Sequence, residues 1–299
     1  MTDPPAALAY LGIQDPFEEA AVAVLPVPYD LTTTYQPGAR FGPRALLTAS
    51  HNVELYDEEL RWDASRIGIH TLPPIEPVAA GPQAMIPIIA DAVESLFHRG
   101  KFPVVLGGDH SVAIGCFAAL SESWEDLWIL QLDAHADLRG EYQGSPFSHA
   151  SVMSHAAEHF ECVRVGLRSW SAEEEEPLWR QPERVFPARA FMRNPDDAIS
   201  RVLAVLGDPV YITLDLDCLD PSVMPATGTP EPGGLTWDAI TTLLRAVAEE
   251  RHVVGCDLTE LSPIPGMIAP DFLAARLTYK LISYVFHARH QAGDSVPGG

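Results

Sequence analysis

Basic side chains are scarce in this sequence. Lys and Arg total 19 against 41 Asp and Glu, a net charge of −22. A surface of that sign repels phosphate backbones, which argues against nucleic acid as a partner, and it attracts small cations. Acidity of this kind also simply keeps a protein soluble, so charge alone assigns no ligand. Long apolar runs are missing as well: none approaches the roughly 18 residues that a membrane-spanning helix needs. The opening Met1-Thr2-Asp3-Pro4-Pro5 lacks the basic start and apolar stretch of a secretory signal. No membrane partner and a cytoplasmic location are therefore expected. Cysteine is limited to Cys116, Cys162, Cys218 and Cys256, widely spaced and without a C-x-x-C pair. That excludes a zinc ribbon or a disulfide framework and fits buried thiols in a reducing compartment.

What is present is apolar content, 47% of the chain, enough for a sizeable core. Apolar, β-rich runs recur at 21–27, 67–69, 102–106, 127–132, 162–167, 210–214 and 252–256, with a weaker one at 184–186. Helix-like spacing of three and four separates them at 43–55, 83–98, 111–120, 196–206, 237–249 and 272–286. Thr236 stands in N-cap position before Trp237. Alternation of this kind calls for a parallel sheet covered on both faces. Strand count alone leaves an open sheet and a TIM barrel both possible. No linker composition interrupts the chain, so one domain over 1–299 is expected, with a short N-terminal arm at about 1–20 and a flexible tail at about 290–299. The punctuated loop 220–235 reads as lining a site.

Three short blocks sit where strands run out: Gly107-Gly108-Asp109-His110-Ser111, Asp133-Ala134-His135-Ala136-Asp137, and Asp215-Leu216-Asp217-Cys218-Leu219-Asp220-Pro221. In an open parallel sheet the carboxyl ends of the strands share one rim, where ligands bind. Residues two apart on extended chain point the same way, so Asp133, His135 and Asp137 can converge, as can Asp215 and Asp217. Four carboxylates and two imidazoles gathered at one rim repel as bare charges, and divalent cations relieve that. Each block alone has a plainer reading: a solvated loop for the second, a capping histidine for His110, a capping aspartate for Asp220. An EF-hand fails for want of a glycine and a glutamate at the required positions. Neither dinucleotide nor P-loop spacing surrounds the glycines. Asp109 is expected to orient the loop or a ligand from behind. Together the blocks point to a metal site, binuclear by ligand count, and a donor set of carboxylates and imidazoles suits manganese or magnesium better than zinc or copper(I).

These blocks resemble the signatures of the ureohydrolase family, which includes arginases and agmatinases: GGDHS, DAHxD, and DxDxxDP followed by GTP. Further similarity lies in Pro28-Tyr29-Asp30, Thr32-Thr33-Thr34, Pro37 to Arg44, and Asp257-Leu258-Thr259-Glu260. It runs from about 20 to 285, and the spelling after Asp137 is similar to bacterial and archaeal agmatinases. The resemblance implies a three-layer α/β/α fold with a central, mostly parallel sheet of about eight strands. It implies two Mn2+ per chain, one held by His110, Asp133, Asp137 and Asp215, the other by His135, Asp133, Asp215 and Asp217. It further implies that Glu260 pairs with a guanidinium, that Asp137 passes a proton to the leaving nitrogen, and that His149 exchanges protons with solvent. On sequence alone His149 equally caps a helix beginning near Ala150. Relatives assemble as trimers or hexamers, so a homo-oligomer is expected.

The implied reaction cleaves a small cationic guanidino compound to urea and an amine. Arg139 and the Arg168-Ser169-Trp170-Ser171 stretch lack the polar residues with which arginases grip the amino-acid end of arginine, so agmatine, giving putrescine, is favoured. Ala226 and Ala150 depart from common agmatinase spelling, and Arg139 facing the pocket would suit a carboxylate. Guanidinobutyrate or another guanidino acid, or formimidoylglutamate, is thus the alternative. Trp170 either walls the substrate tail or packs its loop. Rival classes are a single-zinc deacetylase and a metal- or polyamine-binding regulator without catalysis; metal stoichiometry and urea formation separate them.

Overall fold

The computed structural model describes residues 8–293; residues 1–7 of the expected arm and 294–299 of the expected tail lie outside the described residues. Eight strands form one sheet: β1 (Val22–Val27), β2 (Ile69–Thr71), β3 (Phe102–Gly107), β4 (Trp128–Leu132), β5 (Glu161–Val165), β6 (Val185–Phe186), β7 (Val210–Asp215) and β8 (Val253–Thr259). Their order is β2-β1-β3-β8-β7-β4-β5-β6, and every neighbouring pair is parallel. Among the described residues two free edges remain, β2 and β6, which decides for the open sheet over the barrel. The weak run at 184–186 is the short edge strand β6. The run at 67–69 is displaced: Ala64–Ile67 forms a 3-10 turn capped by the Asp63 carboxylate, and pairing starts only at Ile69.

Alternation along each strand sends side chains to two separate cores. Val22 and Val24 of β1 pack with Phe102, Val104 and Leu106 beneath α1 (Gly42–Ser50), α7 (Pro195–Val205), α8 (Trp237–Glu250) and α9 (Ala269–Ala292). Ala23, Leu25 and Val27 face α2 (Pro82–His98), α3 (Val112–Ser123) and α4 (Val152–His159). The three-layer α/β/α expectation holds. Two short helices, α5 (Glu175–Leu178) and α6 (Ala188–Phe191), flank β6. Thr236 does cap α8, its Oγ1 accepting from the Ala239 amide at 3.2 Å. Helix α9 outruns its predicted span, entering through Pro270 and ending at Gly293 in the left-handed conformation.

Tyr10 is fully buried, its hydroxyl donating to the Ala275 carbonyl at 2.8 Å, so the chain is already packed well before β1. A small hairpin, Tyr56–Asp57 against Trp62–Asp63, is fastened to α9 by Lys280. The Lys280 ammonium is buried and lies 3.0 Å from both Asp57 and Glu59 carboxylates. Removing one partner of a buried ion pair strands the other charge. Lys280→Met is expected to lower the free energy of unfolding by about 3–5 kcal/mol in urea titration. A loss well under about 1 kcal/mol would show a pair no better than a solvated surface contact.

Candidate metal centre

The four central strands β3, β8, β7 and β4 end side by side, and each delivers chemistry to the same rim. After β3, Gly108 lets the chain pass against the 30s loop: a Cβ there would stand 2.0 Å from the Tyr29 carbonyl oxygen, which accepts the Asp109 amide at 2.8 Å. Asp109 is fully buried. Its Oδ2 accepts from the Thr32 amide and hydroxyl, both at 2.8 Å, fixing the 30s loop to the rim. His110 then enters just ahead of α3. Asp133 follows β4, and Asp215 closes β7, its Oδ1 accepting from the Asp217 amide at 2.8 Å.

The six side chains singled out in the sequence meet at this rim. His110 Nδ1 lies 3.0 Å from Asp137 Oδ2, 3.2 Å from Asp133 Oδ2 and 3.5 Å from Asp215 Oδ2. His135 Nδ1 lies 2.9 Å from Asp217 Oδ2 and 3.7 Å from Asp133 Oδ1. Two ligand triads result, His110–Asp133–Asp137 and Asp133–His135–Asp217, each with its donor atoms within 4.8 Å of one another. Asp133 belongs to both, offering one oxygen to each side. Asp215 belongs to neither triad but touches a member of each, its Oδ2 3.5 Å from His110 Nδ1 and its Oδ1 accepting the Asp217 amide.

Crowding and burial dominate the electrostatics. Burial and the neighbouring Asp133 charge push Asp137 up to about 7. Asp215 is raised well above the carboxylate range by burial, then by Asp217, Asp133 and Glu260. Burial alone would push both imidazoles down. For His110 the hydrogen bonds and charges of Asp133 and Asp137 outweigh it, and for His135 those of Asp217 and Asp133, so both are raised well above normal. Without cations, then, the cluster holds itself together by retaining protons.

Two of the predicted residues sit in strained backbone. Asp137 has φ +52° and Glu260 φ +67°, left-handed conformations that a glutamate rarely adopts. Glu260 is buried, and its Oε1 accepts from the His110 amide at 2.8 Å. Burial and then Asp109 raise its carboxyl well above normal. His149 opens a 3-10 turn, Ala150 following, but Ser148 does the capping, its Oγ accepting from the Ala150 amide at 3.1 Å. Its amide donates to Thr32 Oγ1 at 3.0 Å and its Nε2 meets Thr34 Oγ1 at 3.1 Å. Burial, then His135 and His110, push its imidazole down to about 4.

A cavity of about 240 Å³ opens over the rim, lined by His135, Asp137, His149, Thr34, Arg139, Tyr142, Trp170, Glu174 and Thr229 among others. Trp170 both lines it and packs its loop, donating from Nε1 to Glu175 at 2.5 Å and lying edge-on to Trp179. Arg139 is already engaged: 2.9 Å from Glu173, 3.8 Å from buried Glu174, and stacked over Tyr142. Sequence reasoning passed over Glu174, whose carboxylate accepts from the Leu138 and Ser171 amides, and gave no clamping role to Arg168, which ties the Asp217 and Glu231 carbonyls together at 2.7 Å each. It also passed over Gln131 and Thr213, and took Asp257 only as part of the stretch leading to Glu260. Their signal was available: each is a polar residue inside an otherwise apolar, buried strand.

A family model described as the arginase family matches residues 20–283. That is most of the chain. This protein belongs to the arginase family. An N(1)-aminopropylagmatine ureohydrolase of Thermus thermophilus is 42% identical over 268 residues, covering 89% of this chain and 91% of that protein. An agmatinase of Bacillus subtilis is 33% identical over 259 residues, covering 85% and 88%. The crystal structure of the agmatine ureohydrolase of Thermoplasma volcanium superposes with a TM-score of 0.86 at 29% identity, covering 95% of this chain and 96% of that one.

The donors fit the hard divalent ions expected of an arginase-family centre. The rim offers oxygen and imidazole nitrogen, no thiolate, and raised carboxyls whose protons a cation would displace. A pH dependence follows. Asp137 is raised from 3.8 to about 7, so its ionisation withdraws stability from the metal-free fold as pH climbs between those values. The raised imidazoles stabilise below their folded pKa and lose that contribution as pH rises through it. The metal-free protein should melt at a lower temperature at pH 8 than at pH 5, and manganese should raise the melting temperature more at pH 8. An equal manganese effect at both pH values would contradict this.

Proposed function

We propose that this arginase-family chain is a binuclear-manganese ureohydrolase that releases urea from a guanidinium whose other end is an ammonium, agmatine to putrescine in the simplest case. The observation that carries the reading is the shared Asp133, common to two ligand triads beneath one cavity. His110, Asp133, Asp137 and Asp215 would hold one ion, and His135, Asp133, Asp215 and Asp217 the other. When bound, two such ions supply an acidified water and a positive charge opposite the developing tetrahedral adduct.

The chain's own residues do the rest. Glu260, with Oε1 fixed by the His110 amide, presents Oε2 to the guanidinium in a charge-assisted contact. Gly228 lies beside that oxygen, a Cβ there standing 3.4 Å from it. Asp137 hands a proton to the leaving nitrogen, which cannot depart as an amide anion. His149, neutral and with Nδ1 unpaired among the described residues, moves protons between the cavity and solvent. By resemblance, the proposal extends to a single ureohydrolase domain spanning the chain, assembled as a trimer or hexamer in the cytoplasm. Among the described residues no helix is long and apolar enough to cross a membrane.

The far end of the substrate is read from charge. Arg139, the cation that would suit a guanidino acid, is held by Glu173 and Glu174, so a carboxylate tail meets carboxylates while an ammonium tail is welcomed. A second reading, N(1)-aminopropylagmatine, is favoured by the 42% identical relative of that name. Urea release from agmatine, N(1)-aminopropylagmatine, guanidinobutyrate, guanidinopropionate, formimidoylglutamate and arginine should show kcat/KM highest for one of the two amines. A guanidino acid at the head of that series would overturn the reading. Asp133→Asn or Asp215→Asn should abolish turnover and reduce bound metal, and full activity in either would refute the bridging role. His149→Ala should lower kcat on the order of 10²-fold and alter its pH profile; an unchanged kcat and profile would remove the shuttle role.

A further inference from the structure

We propose that a buried polar row one step beneath the rim, centred on Thr213 and Asp257, positions His110 for one of the two metal ions. This rests on the metal reading of the centre given above. The strand register places Asp257 of β8 beside Thr213 of β7, and Thr213 beside Gln131 of β4. All three are fully buried, in strands whose remaining residues are almost all apolar. Each of the last two lies two residues before a ligand, Gln131 before Asp133 and Thr213 before Asp215, hence on the same face of its strand.

Hydrogen-bond direction gives the row its role. The Thr213 hydroxyl donates to Asp257 Oδ1 at 2.8 Å. Its single hydrogen is thereby committed, so toward His110 Nε2, 2.9 Å away, it can only accept. Nε2 must carry a hydrogen, and Nδ1, the nitrogen facing Asp133, Asp137 and Asp215, is left as the one able to offer a lone pair to a cation. Gln131 Nε2 fixes the neighbouring ligand, donating to Asp133 Oδ2 and to the His135 carbonyl, both at 3.0 Å. His135 has no counterpart of the Thr213–Asp257 pair, since among the described residues nothing hydrogen-bonds its Nε2. Valine in place of Thr213 would fill the same space without burying a hydroxyl. The row is therefore better explained by what it orients than by core packing.

The test is manganese binding to metal-free protein, followed by the electron paramagnetic resonance of free Mn2+, with melting temperatures of the metal-free variants alongside. Wild type should take up two ions per chain. Thr213→Val should weaken one of them by about 10- to 100-fold and leave the other unchanged, while Thr213→Ser, which restores the hydroxyl, should match wild type. Should Thr213→Val not fold, Thr213→Ala must show the same selective loss. Equal binding by wild type and Thr213→Val would overturn the proposal, as would equal weakening of both ions or a Thr213→Ser variant as impaired as Thr213→Val. A wild type that holds no manganese would instead overturn the reading of the centre itself, and this inference with it.

Discussion

Repulsion among four buried carboxylates is the constraint around which this molecule is organised. Asp133, Asp137, Asp215 and Asp217 are all buried at one rim, where the low local dielectric magnifies their mutual charge. Two imidazoles and retained protons balance them in part, and cations balance them better. Nothing local would bring these groups together. They come from two blocks, 133–137 and 215–217, far apart in the chain, and only the parallel sheet, by ending β3, β8, β7 and β4 at one level, makes them neighbours. The core on both faces of the sheet therefore works against the charge cluster, and left-handed backbone at Asp137 and Glu260 is part of the strain it sustains.

Around that cluster the loops are arranged to hold rather than to react. Asp109 binds the 30s loop through Thr32, and Thr32 in turn receives the His149 amide, so one chain of hydrogen bonds links the β3 rim to the far wall of the cavity. Arg168 clamps the loop after β7 through carbonyl oxygens, and Asp220 fastens the same loop from outside by accepting the Gly233 and Gly234 amides. The whole-chain charge of −22 reinforces attraction for cationic substrates only near the surface, because screening at physiological salt limits its reach to about 8 Å. At the cavity, Glu173 and Glu174 pair with Arg139.

Much of the architecture was legible because burial on two faces leaves an unmistakable trace: strands that read as apolar runs, separated by helices with a single apolar stripe. The ligand blocks were legible for the opposite reason, as clusters of charge placed where such runs stop. What the sequence concealed was register. Thr213, Gln131 and Asp257 look like incidental polar residues until strand pairing sets them in one row. Arg139 likewise reads as a free cation until Glu173, from another loop, is brought against it. The displaced start of β2 has a similar origin, since the Asp63 cap on the turn before it outcompetes strand pairing at Ile67.

The central claim is that these carboxylates share a pair of cations. It is tested most directly by diffraction from manganese-soaked crystals, with anomalous scattering recorded on either side of the manganese absorption edge. The account predicts two edge-dependent peaks per chain, one beside His110 and one beside His135, both within coordination distance of Asp133 and Asp215. A single peak, or two that do not share Asp133, would contradict it.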